Sequence, residues 1–197
     1  NVLNHSHLIA FFGASVLLAL APGPDNIFVL AQSIVQGSRA GIIIAFGLCS
    51  GLIFHTLIVT LGVATLFQTS PVAFTAIKLI GGAYLLYLGW MSFRSAKAAT
   101  AISGGQKHIP YKKLYVRGII MNVTNPKVSL FFLAFLPQFV DASRGMVGAQ
   151  MALLGLVFII ATILVFSSIA LAAGQIGNYL SKSAKAMTVI NYVAGVI

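Results

Sequence analysis

The sequence predicts an all-α integral membrane protein with about six transmembrane helices, and three observations carry that prediction. Hydrophobic residues make up 59% of the 197 positions and charged residues only 7%, with a mean hydropathy of +1.00. A soluble domain carries roughly 25% charged residues, so this chain cannot cover itself with a wettable surface. The apolar residues gather into long uncharged runs near the ~20 residues a helix needs to cross a bilayer, which argues for helices rather than a barrel. The 12 Lys and Arg face only 2 acids, a formal charge of +10, and they collect between those runs. That placement reads as topology determinants and contact with anionic lipid headgroups rather than nucleic-acid binding.

The first run, Leu8 to Val35, would be ~42 Å long as a straight helix, against ~30 Å of hydrocarbon. It must tilt, or break at Pro22 and Pro24. Its first half ends in Ala19-Leu20-Ala21, which resembles a signal-peptidase site. No Lys or Arg precedes that point and apolar sequence resumes after Asn26, so a retained segment is expected. The next runs are Ala40 to Phe67 and Pro71 to Phe93, the latter ending in an interfacial belt of Tyr84, Tyr87 and Trp90. Leu114 to Val140 and Met146 to Ala173 follow, and a sixth run starts at Met187. It reaches only Ile197, too short to cross, so the last helix is expected to be incomplete here. Gly47, Gly51, Gly81, Gly82 and Gly89 allow close helix packing.

Charge sets the expected orientation. If all six runs span, Arg39, the linker bearing Arg94, Lys97, Lys107, Lys112 and Lys113, and the loop with Lys182 and Lys185 share one side. The other side holds Arg144. By the positive-inside rule the first group is cytoplasmic and both termini lie outside. A re-entrant first run would move the amino terminus inside. The basic linker, 94–113, with Ser103-Gly104-Gly105 at its centre, reads as a cytoplasmic connector, with phosphoinositide binding or regulation as the alternative.

The chain repeats itself. Pro24-Asp25 in the first run matches Pro126-Lys127 in the fourth. Ser38-Arg39-Ala40-Gly41 matches Ser143-Arg144-Gly145-Met146. Phe74-Thr75-Ala76-Ile77 with Ile80-Gly81-Gly82 matches Met187-Thr188-Val189-Ile190 with Val193-Ala194-Gly195. The landmarks keep their order, which divides one domain into repeat one (8–93), the linker (94–113) and repeat two (114–197). Three runs is an odd number, so the second half inserts upside down. That is the inverted repeat of secondary transporters, whose sites lie near the midplane between broken helices.

Chemistry concentrates at the two breaks. Pro22 and Pro24 lack amide hydrogens, so the carbonyls of Leu18 and Leu20 are expected to lose their helical partners. Ala21 and Gly23, each before a proline, are pushed out of helical dihedrals. Asp25 or Asn26 is expected to cap a second half-helix that runs to Gln36. Free carbonyls and Asp25 suit an ammonium group or a proton, while the half-helix end suits a carboxylate. An amino acid carries both. The alternative is a kinked helix in which Asp25 only satisfies orphan amides.

The fourth run repeats the device with opposite charge. Asn122, Thr124 and Asn125 precede Pro126, and Lys127 follows. Thr124 or Asn125 as cap with proline in the first turn is a normal helix start. Lys127 falls mid-run, where a charge costs ~2.5–3.5 kcal/mol, so a partner is expected. Asp25 is the sole acid in any run, so Asp25 and Lys127 are expected close together near the midplane. The alternative makes Lys127 a purely structural counter-ion. Lys78 reads equally as a site residue or a snorkelling anchor, and His55 as a proton relay or a bond to a neighbouring helix. Cys49 lies inside an apolar run, and His5, His7, His55 and His108 lack ligand spacing, so no metal site or other cofactor is expected.

Ala21 to Asn26, Asn125-Pro126-Lys127 followed by Phe131-Phe132, and Lys78-Leu79-Ile80-Gly81-Gly82-Ala83-Tyr84-Leu85 together resemble the lysine-exporter (LysE) superfamily. Its RhtB branch of homoserine/threonine-type exporters is the closer likeness, and it covers essentially the whole chain. The resemblance implies a multi-pass carrier of the bacterial inner membrane with about six helices. It would export amino acids as a homodimer driven by the proton gradient, with Asp25, Asn26, Asn125, Pro126 and Lys127 at the site.

The combined expectation is a proton-coupled exporter of small, mostly neutral amino acids that works by alternating access, and no enzyme. Asp25 would bind the amino group or the coupling proton. Lys127 and the half-helix ends would hold the carboxylate. A cation or metal exporter would want several carboxylates, His or Cys at the midplane. A membrane-embedded enzyme or scaffold would want a catalytic pair such as Ser/His or His/Asp.

Overall fold

The computed structural model describes residues 5–69 and 108–181, together with Leu3 and isolated positions between 72 and 90. Lys78, the core of the basic linker, the sixth run and most of the third pair of repeat landmarks lie outside the described residues. All regular structure among the described residues is helical. Tyr87 and Trp90 of the expected belt are exposed.

The first run breaks. Helix α1, His5–Leu20, and helix α2, Pro24–Gln36, meet at a 63° bend. Gly37 then turns the chain in a single residue at φ 85°, a left-handed conformation that favours glycine. Helix α3, Ser38–Thr69, follows, and its segment Ser38–Gly62 is long and apolar enough to cross a membrane. The fourth run breaks as well. Helix α4, Tyr111–Val123, is succeeded by helix α5, Pro126–Leu130, a wider π turn, Phe131–Phe135, and a 3-10 turn, Leu136–Phe139. The two arms bend by 48°. A short turn, Ala142–Arg144, leads into helix α6, Val147–Ser181, the second uninterrupted candidate span.

Contacts at the two ends of the bundle fix the direction of each run. At one end the Ile109 amide donates to Gln36 Oε1 (3.0 Å) and the Arg39 guanidinium stacks over the Tyr111 ring. Gly174 and Gly177 of α6 press there against Ser38 and Ile34, with no room for a side chain. At the opposite end the His7 and Phe139 rings meet, and Gln150 donates to the carbonyls of Asp141 (2.9 Å) and Gly145 (2.8 Å). The α1–α2 pair therefore runs from one end of the described bundle to the other. Arg39, Lys112 and Lys113 share the first end, and Arg144 lies at the other. The pair α1–α2 and the run from α4 through Phe139 point in opposite directions, as do α3 and α6. A second half inserted upside down requires that reversal.

Small residues set the helix crossings. A Cβ on Gly47 of α3 would strike the Tyr115 carbonyl, and one on Gly118 of α4 would sit 2.7 Å from the Ile44 carbonyl. Only hydrogen fits there, so α3 and α4 pack backbone to backbone. The apolar interior divides in two. One cluster gathers Phe11, Leu52, Phe131, Phe132, Met151 and Phe158. The other gathers Ala19, Val29, Ile44, Leu48, Leu114 and Phe166. On α6 the boundary between them falls between Phe158 and Val165, at the level of the two breaks.

Candidate functional site

Breaking a helix frees carbonyls on one side and amides on the other. At the first break Ala21 still donates to the Leu17 carbonyl (3.0 Å). Pro22 has no hydrogen to give Leu18, so that carbonyl needs an outside donor. Lys127 supplies it: Nζ donates to Leu18 (3.2 Å) and to Ala21 (3.0 Å). Asn26 Nδ2 turns back and donates to the Ala19 carbonyl (2.7 Å). Of the expected freed pair, Leu18 takes its outside donor from Lys127, which also engages the Ala21 carbonyl.

The cap also lies two to three residues earlier than expected. Neither Asp25 nor Asn26 caps α2; Gly23 does, with extended dihedrals (φ −168°, ψ 174°) and no side-chain bond. Pro24 fixes its own φ at the first helical position and excludes helical geometry from the residue before it. Asp25 therefore falls in the first turn, where the positive end of α2 favours its charge. Gly23 is not needed for its dihedrals. Its place comes from crowding, because a Cβ there would lie 3.2 Å from Lys127 Nζ.

The second break satisfies itself. Asn125 is the cap of α5: its Oδ1 accepts from the Lys127 amide (3.0 Å) and its own amide donates to Asn122 (3.0 Å). Of the two expected caps, Asn125 is the one used. Thr124 donates back to Ile120 (2.8 Å) within its own helix. With its backbone settled, the second break lends side chains to the first. Asn125 Nδ2 donates to Asp25 Oδ2 (2.8 Å), and Lys127 fills the carbonyls already named. Pro22, Pro24 and Pro126 shape the breaks from exposed positions.

Asp25, Asn122 and Lys127 line one cavity, as the sequence leads one to expect of the Asp25–Lys127 pair. Leu18, Val128, Phe158 and Phe166 form its apolar walls, and Thr162 of α6 completes it. Its open space, mouth included, is about 280 Å³. Asp25 and Lys127 do not form a direct ion pair; among the described residues the ion pair is Arg144–Asp141 (3.1 Å). Asp25 is only 4% exposed, yet its Oδ1 has no hydrogen-bond partner among the described residues. Asn122 Oδ1 and Thr162 Oγ1, also buried, are in the same condition.

His55 stands one step back. Its Nε2 donates to the Asn122 carbonyl (3.1 Å) and its ring lies against Phe132. Of its two readings, the structure gives it the bond to a neighbouring helix. Lys78 lies outside the described residues. Thr162 was not anticipated. Its sequence signal is faint, a single hydroxyl between Phe158 and Phe166 at helical spacing in an apolar run. The second acid, Asp141, lies in the loop after the 3-10 turn, at the Arg144 end. The Ser143 hydroxyl, backed by the Ser143 amide and Arg144, holds its carboxyl below the usual carboxylate range.

A family model described as LysE type translocator matches residues 16–197. The chain is 34% identical over 186 residues to a homoserine/homoserine lactone efflux protein of Salmonella typhimurium, covering 94% of this chain and 89% of that one. It is 28% identical over 183 residues to a leucine efflux protein of the same species, covering 93% and 86%. An uncharacterized membrane protein of Vibrio cholerae is 34% identical over 188 residues, covering 95% and 90%. No solved structure matches the chain.

Proposed function

This chain belongs to the LysE type translocator family, whose members move solutes out of cells rather than catalyse reactions, and on that premise we propose that it exports small, mostly neutral amino acids. The observation that carries the reading is the Asp25 carboxylate, buried at a helix break with one oxygen unpartnered, on a cavity it shares with the Lys127 ammonium. A zwitterion presents the complementary pair of charges. Its ammonium would meet Asp25. Its carboxylate would meet Lys127, which spends two of three N–H donors on Leu18 and Ala21, and the amide end of α2. Two relatives named for leucine and homoserine efflux give the first substrates to try.

The energy source in this reading is the proton gradient. Asp25 is the group that would exchange its proton for the substrate ammonium, because one carboxylate oxygen cannot hold both. The two halves, each carrying one break, would rock about the shared cavity to expose it alternately to either side. Family membership extends the proposal to a homodimer in the bacterial inner membrane, with the basic 94–113 linker in the cytoplasm. Nothing in the site favours the cation or metal alternative: among the described residues no three His, Cys, Asp or Glu gather.

Reconstitution in liposomes tests this. With a pH gradient imposed, the wild type should drive labelled leucine or homoserine across the bilayer. Asp25→Asn should abolish that flux while the protein remains folded and inserted. Normal proton-driven export by D25N would refute the assignment of Asp25.

A further inference from the structure

Hydroxyls inside an apolar span normally satisfy themselves by donating to the carbonyl one turn back. Ser15, Ser33, Thr56 and Ser168 each do so here, at 2.6–2.8 Å. Thr162 does not. Its side chain is 3% exposed, its Oγ1 has no partner among the described residues, and it lies on the wall of the cavity at the helix breaks. Leaving a buried polar atom unpaired costs free energy that an available backbone carbonyl would have removed. Asp25 and Asn122, each with an unpaired Oδ1, line the same cavity. Three residues from three different helical elements, each with an unpartnered buried oxygen, thus line one small space, and each oxygen is able to accept a hydrogen bond.

We propose that Asp25, Asn122 and Thr162 form a three-acceptor subsite that recognises a primary ammonium and rejects N-methylated amines, with Thr162 a specificity-determining residue. The inference rests on the amino-acid reading above and deepens it. A primary ammonium carries three N–H donors, one for each oxygen. Each N-methyl group removes a donor and leaves an acceptor buried against carbon. A site built to hydrogen-bond its ligand discriminates strongly against analogues that lack the donor, because its own polar atoms are then left unpaired. The Phe158 and Phe166 rings one turn either side of Thr162 leave no polar substitute on α6.

The test compares leucine with N,N,N-trimethylleucine on purified wild type, Thr162→Val, Thr162→Ser and, as a control, Thr60→Val. Thr60 also has an unpartnered buried hydroxyl but does not line the cavity. The wild type should prefer leucine. T162V should lose about tenfold of that preference, through weaker leucine binding alone, and T162S should restore it. Valine matches threonine in shape and removes an unpaired group, so T162V should unfold no more easily than wild type. Unchanged preference in T162V, or an equal change in T60V, overturns the inference. If the wild type neither binds nor moves leucine or homoserine, the export reading falls, and n-butylammonium against n-butyltrimethylammonium then decides the subsite. A preference for the first that T162V loses supports it; no preference overturns it.

Discussion

The two helix breaks are built from the same materials and reach opposite outcomes. Both start a half-helix with proline at its first position. At the second break, Asn125 closes the backbone account locally by capping the Lys127 amide and donating to Asn122. At the first, the cap is Gly23, which has no side chain to offer, and the freed carbonyls of Leu18 and Ala21 are filled from the other break by Lys127. The difference is instructive. One break is self-sufficient and exports a cation and an amide; the other is deficient and holds an acid. A site of opposite charges follows from joining them, and the joint is made of few bonds between different parts of the chain. Such a joint can be exchanged for bonds to a solute.

The largest expected effect comes from removing the donor. Lys127→Met leaves two part-buried carbonyls without this donor, at up to ~1–3 kcal/mol each, and strips Asp25 of its nearby cation. Export of leucine or homoserine from liposomes should stop, and thermal unfolding in detergent should shift well below wild type. Wild-type stability in K127M would mean that the first break does not lean on the second.

A smaller effect separates the two jobs of Asn125. Asn125→Ala should cost about 0.5–2 kcal/mol as a lost cap, and should also release Asp25 Oδ2. Asn125→Asp keeps a competent cap but sets a second acid against Asp25. N125D should therefore unfold closer to wild type than N125A yet transport worse. The reverse order would make the cap, rather than the Asp25 bond, the role that matters.

Gly23→Ala should do least. The extended backbone at Gly23 accepts alanine, and the crowded atom is the end of a flexible chain. The cost should fall at the low end of the ~1–3 kcal/mol typical of overpacking, read as slower export with unfolding almost unchanged. Loss of folding in G23A would show that Lys127 has no other place to go.

Much of this was legible beforehand because its causes are local. Long apolar runs dictate membrane helices, and proline before Asp25 and before Lys127 dictates where two of them break. The grouping of Arg39, Lys112 and Lys113 at one end followed from counting runs. The expected cap on α2 was misplaced by a few residues, since proline's control of the preceding residue outweighed the side-chain preference of Asp25 and Asn26. His55 could not be assigned from sequence, because its partner is a carbonyl 67 positions away.

By itself, then, the sequence determined the helices, the two breaks and the opposite charges placed in them. The tertiary structure decided the rest. It alone says that Lys127 satisfies the carbonyls of Leu18 and Ala21 rather than pairing directly with Asp25, and that Thr162 of α6 belongs to the cavity. The physical reason is range. Helix formation and helix breaking are settled within about one turn, whereas a buried polar atom takes its partner from whatever element packing brings within ~3 Å, however far away in the chain.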